Sequence, residues 1–177
     1  MFPLVDGGCR ASHNFLQLLL SGGHDVKNIT VSTHKHPFNR EAFPQDLYNN
    51  IQPVNVFIDT SLKAHSALLS LIKGASYNFE RFNDQKWTNL IMNELSTNHF
   101  DVIIFDGLYS SGPLTDLKEK FSGKIFLRAH NVEYKIWSQL SEHSRNPFKK
   151  WYYKSLSRQL KRVEQEVFSS VEGILAI

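Results

Sequence analysis

Cysteine is nearly absent from this sequence, which has a single one, Cys9, in 177 residues. One cysteine excludes a disulfide within the chain and is typical of proteins from reducing compartments, so we expect a cytoplasmic location. The sequence also lacks any apolar run near the roughly 20 residues that a membrane-spanning helix needs. Its formal net charge of +3 is too small to indicate nucleic-acid binding, and we expect none.

What is present is the composition of an ordinary globular domain. Hydrophobic residues make up 41% of the chain and charged residues 21%, and the length suits about one domain with a sizeable core. Short apolar runs predict strands near 26–32, 54–58, 101–106, 125–128 and 173–177. Amphipathic periodicity predicts helices at 11–20, 62–72, 84–97, 114–121, from 134 onward and at 147–171. Residues 77–82 alternate aromatic with polar and predict a short strand or extended linker.

The alternation of strands with helices predicts an α/β fold. We expect a Rossmann-like, three-layer domain with a mostly parallel sheet, helices on both faces and right-handed crossovers. In such open sheets, ligands bind outside the carboxyl ends of the strands. Polar residues at those ends are therefore the first candidates for a site.

The stretch KIFLRAHNVEYKIW, residues 124–137, has the strongest signal of this kind. A short apolar run ends in Arg128, His130, Asn131 and Glu133, and a helical pattern follows. This arrangement predicts that these polar side chains lie at the carboxyl end of a buried strand. The alternative is that His130 and Asn131 only cap the helix and satisfy backbone groups of the loop.

A second candidate lies at the start of the chain, in FPLVDGGCR. Gly7 and Gly8 form a loop signal just before a predicted helix, where the free N–H groups and the helix dipole favour an anion such as phosphate. A glycine pair in this position is also common in a simple turn. His34 and His36 follow in a polar segment, but the sequence shows no cluster at metal-ligand spacing, so we interpret them as loop residues and expect no metal.

The segment Lys149–Arg162 combines six basic residues with Trp151, Tyr152 and Tyr153. A basic helix with aromatics at its interface can lie on an anionic membrane, which would make the protein peripheral at the inner membrane face. The alternative is a solvated basic face with the aromatics in the core. The sequence alone favours the second interpretation.

Five elements in this order resemble the N-terminal domain of GT-B glycosyltransferases of family 4, also called group 1. They are FPLVDGGCR, SGGHDV, FDVIIFDG, LRAHNVEYKIW and KRVEQEVFSSVEGILAI. The resemblance covers nearly the whole chain, and the Gly-Gly loop and the HNVE element are its most specific parts.

The resemblance implies a retaining glycosyltransferase that uses a nucleoside-diphosphate sugar, needs no metal or other cofactor and acts in polysaccharide or cell-surface glycan synthesis. The acceptor would be a glycan or a lipid-linked molecule. It further implies that His130 is the active-site histidine, and that Gly7 and Gly8 form the diphosphate loop with help from Arg10. Asn131 and Glu133 belong to the same element as His130, and the resemblance implies that they bind the substrate.

The sequence departs from the family pattern at both ends. The family begins with a central strand before the FPLVDGG element, where this sequence has only Met1, and its donor-binding domain does not follow Ile177. We therefore expect residues 1–177 to be the acceptor-side domain alone, inactive by itself and partnered by the absent C-terminal domain. Two other functions remain open, namely half of a nucleotide-sugar epimerase, which shares the GT-B architecture, and a non-catalytic Rossmann-like binding module.

Overall fold

The computed structural model describes residues 4, 6–63, 65, 69–70 and 74–177. The chain divides into two compact units, Met1–Thr60 and Ser61–Ile177. Each unit contains helices and parallel strands, so the predicted α/β class is confirmed. The described strands form two short sheets, one in each unit, where the sequence analysis predicted one.

The first unit has a two-stranded parallel sheet. Its elements are helix α1 (Gly7–Ser21), strand β1 (Ile29–Ser32), a 3-10 helix (Arg40–Ala42), helix α2 (Gln45–Ile51) and strand β2 (Val54–Phe57). Strand β1 pairs with β2 from Ile29 opposite Val54. Its core is formed by buried apolar residues of α1, α2 and the segment between them, namely Leu16, Phe43, Leu47 and Ile51.

The second unit has a three-stranded parallel sheet in the order β3-β4-β5. Its elements are α3 (Tyr77–Glu80), α4 (Gln85–Thr97), β3 (Val102–Asp106), a 3-10 helix (Leu108–Ser111), α5 (Leu114–Lys120), β4 (Lys124–Ala129), α6 (Glu133–His143), α7 (Pro147–Ser170) and β5 (Gly173–Ala176). Helices α6 and α7 pack against each other. Leu117, Leu127 and Leu160 are completely buried in this unit.

Two predictions about local structure are wrong. Residues 77–82 contain helix α3. Tyr77 and its neighbour Asn78 are both buried, so the alternation of aromatic and polar residues does not correspond to alternating burial. Helix α1 begins at Gly7 rather than near Ala11, so Gly7 and Gly8 lie in its first turn and not in a loop before it.

The other predicted elements that fall on described residues are present, with ends shifted by up to three residues. The helix predicted at 62–72 includes residues outside the described ones. No helix in the described part of the chain has both the length and the apolar character to cross a membrane.

Candidate functional site

The carboxyl ends of β3 and β4 bring three polar side chains together. Asp106 ends β3 and lies opposite Arg128 of β4 in the parallel register, and His130 follows β4 directly. Asp106 Oδ1 accepts a hydrogen bond from Arg128 Nη1 at 2.7 Å and lies 2.6 Å from His130 Nε2. The strand signal in the sequence predicts His130 at this edge of the sheet, and the residue lies there, directly after β4.

The short contact with Asp106 indicates which ring nitrogen of His130 carries a proton. Arg128 is almost completely buried, with 7% of its side chain exposed, and its guanidinium forms an ion pair with the Asp106 carboxylate at 2.7 Å. A charged oxygen at 2.6 Å from Nε2 requires a proton on that nitrogen. Arg128 Nη1 lies 3.2 Å from the same nitrogen, and because both then carry hydrogens, this contact is not a hydrogen bond.

In the neutral ring, the proton on Nε2 leaves the lone pair on Nδ1. The side chain of His130 is 22% exposed, so a ligand can reach the imidazole. Nδ1 can therefore accept a proton or a hydrogen bond from a ligand hydroxyl, and Asp106 would stabilise the imidazolium that results. An imidazole oriented by a carboxylate is an arrangement suited to general base catalysis.

Gly107 makes the sharp turn that follows Asp106. Its φ angle is +94°, a region that residues with a side chain rarely adopt. Its N–H donates to the backbone oxygen of Arg128 at 2.9 Å, so the turn continues the pairing between β3 and β4. The glycine thereby fixes the position of Asp106 beside His130.

The loop that carries His130 is held by a residue of helix α7. Glu164 is 2% exposed, and its carboxylate accepts from the backbone N–H groups of Glu133 at 2.7 Å and Tyr134 at 3.2 Å. These two N–H groups belong to the first turn of α6, where the helix itself provides no acceptor. The N-cap residue of α6 is Val132, which makes no side-chain capping bond. The cap of α6 thus comes from Glu164 and not from His130 or Asn131.

Burial of Glu164 and its hydrogen bonds affect its pKa in opposite directions. Burial raises the pKa above the usual value for glutamate, while the bonds from Tyr134 and Glu133 lower it, and the net direction is upward. Glu164 is thus a carboxylate whose ionised form is costly inside the unit. The same carboxylate is the hydrogen-bond acceptor for the backbone N–H groups of Glu133 and Tyr134.

Glu133 points its carboxylate at Tyr109. The Tyr109 hydroxyl donates to Glu133 Oε2 at 3.2 Å, and burial together with the negative charge of Glu133 raises the pKa of Tyr109. Tyr109 therefore stays protonated and can remain a donor. Asn131 is exposed to solvent between His130 and α6.

The remaining candidates, Gly7, Gly8 and Arg10, lie in the first unit, in the first turn of α1. All three are exposed. Asp6 is the N-cap residue of this helix, and its Oδ1 accepts from the N–H of Cys9 at 2.8 Å. This bond, followed by one from the Cys9 thiol, lowers the pKa of Asp6. A carboxylate that stays charged at this helix end works against the binding of a second anion there.

The sequence analysis assigned no role to Asp106, Tyr109 or Glu164. A signal for Asp106 existed, because it ends a clear apolar run and the same sheet-edge rule that selected His130 applies to it. Tyr109 and Glu164 had no such signal, since their contacts with Glu133 connect elements that are distant in sequence. Comparison with known proteins adds no relative: no family model, curated protein or solved structure matches the chain.

Proposed function

We propose that this chain is the acceptor-side domain of a retaining glycosyltransferase of the GT-B class, family 4. It would transfer a sugar from a nucleoside-diphosphate sugar to a glycan or lipid-linked acceptor. The observation that carries the proposal is the His130 imidazole, oriented by Asp106 at the carboxyl end of β4. The HNVE element follows the carboxyl end of β4, and ligands of open α/β sheets bind at such ends, which supports the proposal. The proposal includes the three-layer, Rossmann-like arrangement with helices on both faces.

In this proposal, His130 contacts the reacting sugars. Its Nδ1 accepts a hydrogen bond from a hydroxyl of the acceptor or of the transferred sugar, while Asp106 holds the ring through Nε2. Positive charge that develops on the ring is stabilised by the Asp106 carboxylate. Asn131, being exposed beside the ring, and Glu133, through its carboxylate, supply further hydrogen-bonding groups to the sugars.

The donor diphosphate would lie at the first turn of α1. Gly7 and Gly8 have no side chain to obstruct an approach to their N–H groups, and the exposed Arg10 adds a positive charge. Preorganised N–H groups stabilise the charge of the departing nucleoside diphosphate without a metal. The Asp6 carboxylate opposes this binding, so we expect the second domain of the enzyme to supply most of the affinity for the donor.

Kinetics of the natural full-length protein test the proposal. We would incubate it with a panel of nucleoside-diphosphate sugars and glycan or lipid-linked acceptors, and compare it with the His130→Ala variant. We expect turnover that falls roughly 100-fold or more in the variant, with donor affinity nearly unchanged. Thermal melts of both proteins should coincide within a few degrees, because the side chain is partly exposed at a sheet edge.

Other outcomes would point to the two alternative functions. Interconversion of nucleotide sugars without an acceptor would indicate an epimerase, and the absence of turnover with all donors would indicate a binding module. Full activity of His130→Ala, or a loss explained by a collapsed melting temperature, would contradict the assigned role of His130.

We also propose that the enzyme contacts the inner membrane face from the cytoplasm through the start of α7. Phe148 is 82% exposed and Trp151 is 63% exposed. Trp151 lies three residues after Phe148, so the two side chains share one face of the helix. Lys149, Lys150 and Lys154 beside them are exposed as well. The alternative that places the aromatics in the core is wrong for Trp151, although Tyr152 and Tyr153 are half-buried. Exposed aromatics among cations favour an anionic lipid surface.

Sedimentation with lipid vesicles tests this contact. We expect the chain to bind vesicles that contain anionic phospholipids and to bind neutral vesicles much less. The double variant Phe148→Ser/Trp151→Ser should lose most of this binding because it removes the apolar contact. Leu18→Ser is the matched control, since Leu18 is 66% exposed on α1. Equal binding by the double variant, or an equal loss in the control, would contradict the proposal.

A further inference from the structure

Three side chains with metal-binding atoms meet at the start of the first unit. A carboxylate oxygen of Asp6, the thiol of Cys9 and a ring nitrogen of His36 all lie within 4.8 Å of one another. Asp6 and Cys9 come from the first turn of α1, and His36 from the segment after β1. The spacing along the sequence did not reveal this group, because the fold brings His36 back to residues much earlier in the chain.

The ring of His36 has an unpaired nitrogen at this point. Its Nδ1 is shielded from solvent and has no hydrogen-bond partner among the described residues, and it lies 3.9 Å from Asp6 Oδ2. That separation is too long for a hydrogen bond. A shielded polar atom without a partner costs free energy, and a bound cation would remove that cost.

Backbone hydrogen bonds hold the three residues in place. Asp6 Oδ1 accepts from the N–H of Cys9, and Asp6 Oδ2 is the oxygen that faces His36. The N–H of His36 donates to Thr33 Oγ1 at 3.1 Å, and its backbone oxygen accepts from the N–H of Thr33 at 3.0 Å. These bonds fix the backbone of the turn at 33–36, which carries the imidazole. Preorganised ligands of this kind reduce the entropic cost of binding a metal.

The donor atoms indicate which metal suits the group. A thiolate, an imidazole and a carboxylate are each ligands that zinc binds, whereas Mg²⁺ and Ca²⁺ prefer oxygen ligands alone. Tetrahedral zinc bonds of about 2.0–2.3 Å separate neighbouring ligand atoms by about 3.4–3.6 Å. Closing the observed separations to those values requires movements of about 1 Å or less.

We propose that Asp6, Cys9 and His36 bind a single Zn²⁺ ion, with a fourth position open to solvent. The opening is provided by the partial exposure of the site, since 47% of the Asp6 side chain and 38% of the His36 side chain are accessible. The proposed transfer chemistry does not use this ion. The ion would instead tie the start of α1 to the segment after β1.

Cobalt substitution tests the site with a readout that does not depend on activity. We would titrate the reduced, metal-free chain with Co²⁺ under anaerobic conditions and record the absorption of the thiolate–cobalt bond. We expect one equivalent to bind and the thiolate band to appear, and Zn²⁺ to displace the cobalt and abolish the band. Cys9→Ser should eliminate the band, because it removes the sulfur ligand while it leaves the helix intact.

Competition with a chromophoric chelator then measures the affinity for Zn²⁺. Cys9→Ser and His36→Gln each remove a direct ligand and should weaken Zn²⁺ binding at least about 100-fold. That factor is the upper end of the loss of metal affinity caused by mutating a residue that only hydrogen-bonds to a ligand. Asp6→Asn should weaken it less while it preserves the helix cap, since asparagine is also a good N-cap residue. His34→Gln is the matched control, because His34 is exposed in the same segment and lies near Asp59 rather than the three ligands.

The proposal would be overturned by the absence of stoichiometric cobalt binding or by a thiolate band that survives Cys9→Ser. Equal losses of Zn²⁺ affinity in His34→Gln and His36→Gln would overturn it as well. Circular dichroism of every variant shows whether the fold is retained. Should Cys9→Ser fail to fold, the comparison of His36→Gln with His34→Gln decides the question alone.

Discussion

At the scale of single residues, the strongest argument for a functional site is the way in which His130 is held. A capping residue would turn toward the helix, but His130 Nε2 lies against Asp106 while Glu164 provides the acceptors for α6. The His130 side chain is also 22% exposed, so the ring is not enclosed in a core. Arg128 is buried beside the same carboxylate. A buried ion pair of this kind adds little net stability, and its place at the sheet edge agrees with a role in ligand binding.

The role of Asp106 as a positioning residue can be tested with Asp106→Asn. Asparagine is nearly isosteric but lacks the charge that keeps the proton on His130 Nε2, so we expect turnover of the full-length protein to fall roughly 10-fold or more. Nitrogen NMR of the imidazole should show a change in tautomer or protonation that a structural role would not produce. Asp101→Asn is the control, because Asp101 is exposed before β3. An unchanged NMR spectrum in Asp106→Asn would contradict the assigned role.

At the scale of elements, Glu164 joins two helices that are already in contact. It is part of α7, yet its carboxylate completes the first turn of α6, and Ser157 Oγ of α7 also donates to the backbone oxygen of Tyr134 at 2.9 Å. The start of α6 is therefore fixed by side chains of the neighbouring helix and not by its own N-cap residue. The loop with His130 inherits this rigidity because it leads directly into α6.

Replacing Glu164 by glutamine should destabilise the chain by about 1–2 kcal/mol, because the amide can accept at its oxygen but not at its nitrogen, and one buried N–H loses its partner. Denaturant unfolding measures this change. Glu166→Gln, an exposed position on the same helix, should have almost no effect. An equal effect of the two substitutions would show that Glu164 is not the cap.

The raised pKa of Glu164 also predicts how this difference depends on pH. A glutamate whose pKa is higher in the folded state contributes most to stability below its ordinary pKa of 4.5, and this contribution falls as pH rises through the folded value. The stability advantage of the natural chain over Glu164→Gln should therefore be larger near pH 4 than near pH 7. An advantage that grew with pH would indicate that hydrogen bonding, and not burial, sets the pKa.

The elements differ in how well their sequence predicts them. Strands β3 and β4 are continuous apolar runs, and α4 and α7 are long amphipathic segments, so local pattern and tertiary packing agree. Helix α3 is a single turn whose Tyr77 hydroxyl accepts from the N–H of Lys63 at 2.8 Å. A contact of that kind cannot be inferred from the alternation of aromatic and polar residues. The position of His130 follows from the strand signal, whereas Tyr109 and Glu164 depend on contacts between elements.

At the scale of the whole molecule, the candidate residues are divided between the two units. Gly7, Gly8 and Arg10 lie in the first, and the group around His130 lies in the second. The first unit has a charged carboxylate, Asp6, at the helix end where a diphosphate was expected. The second unit has an oriented imidazole that suits a sugar hydroxyl. This contrast favours acceptor binding over donor binding as the main role of the chain.

The final prediction follows from that contrast. If the chain supplies the acceptor side of a glycosyltransferase, its 177 residues should turn over no nucleotide sugar alone, and donor binding should be weak or undetectable by calorimetry. One wall of a two-sided cleft leaves most of a ligand in solvent, and ligand sites normally bury most of the ligand surface. In the metal-free chain, Asp6→Asn should strengthen any residual binding of a nucleoside diphosphate, because it removes a negative charge and keeps the helix cap. Micromolar binding of a nucleoside-diphosphate sugar by the natural chain would show that the donor site has been placed on the wrong side.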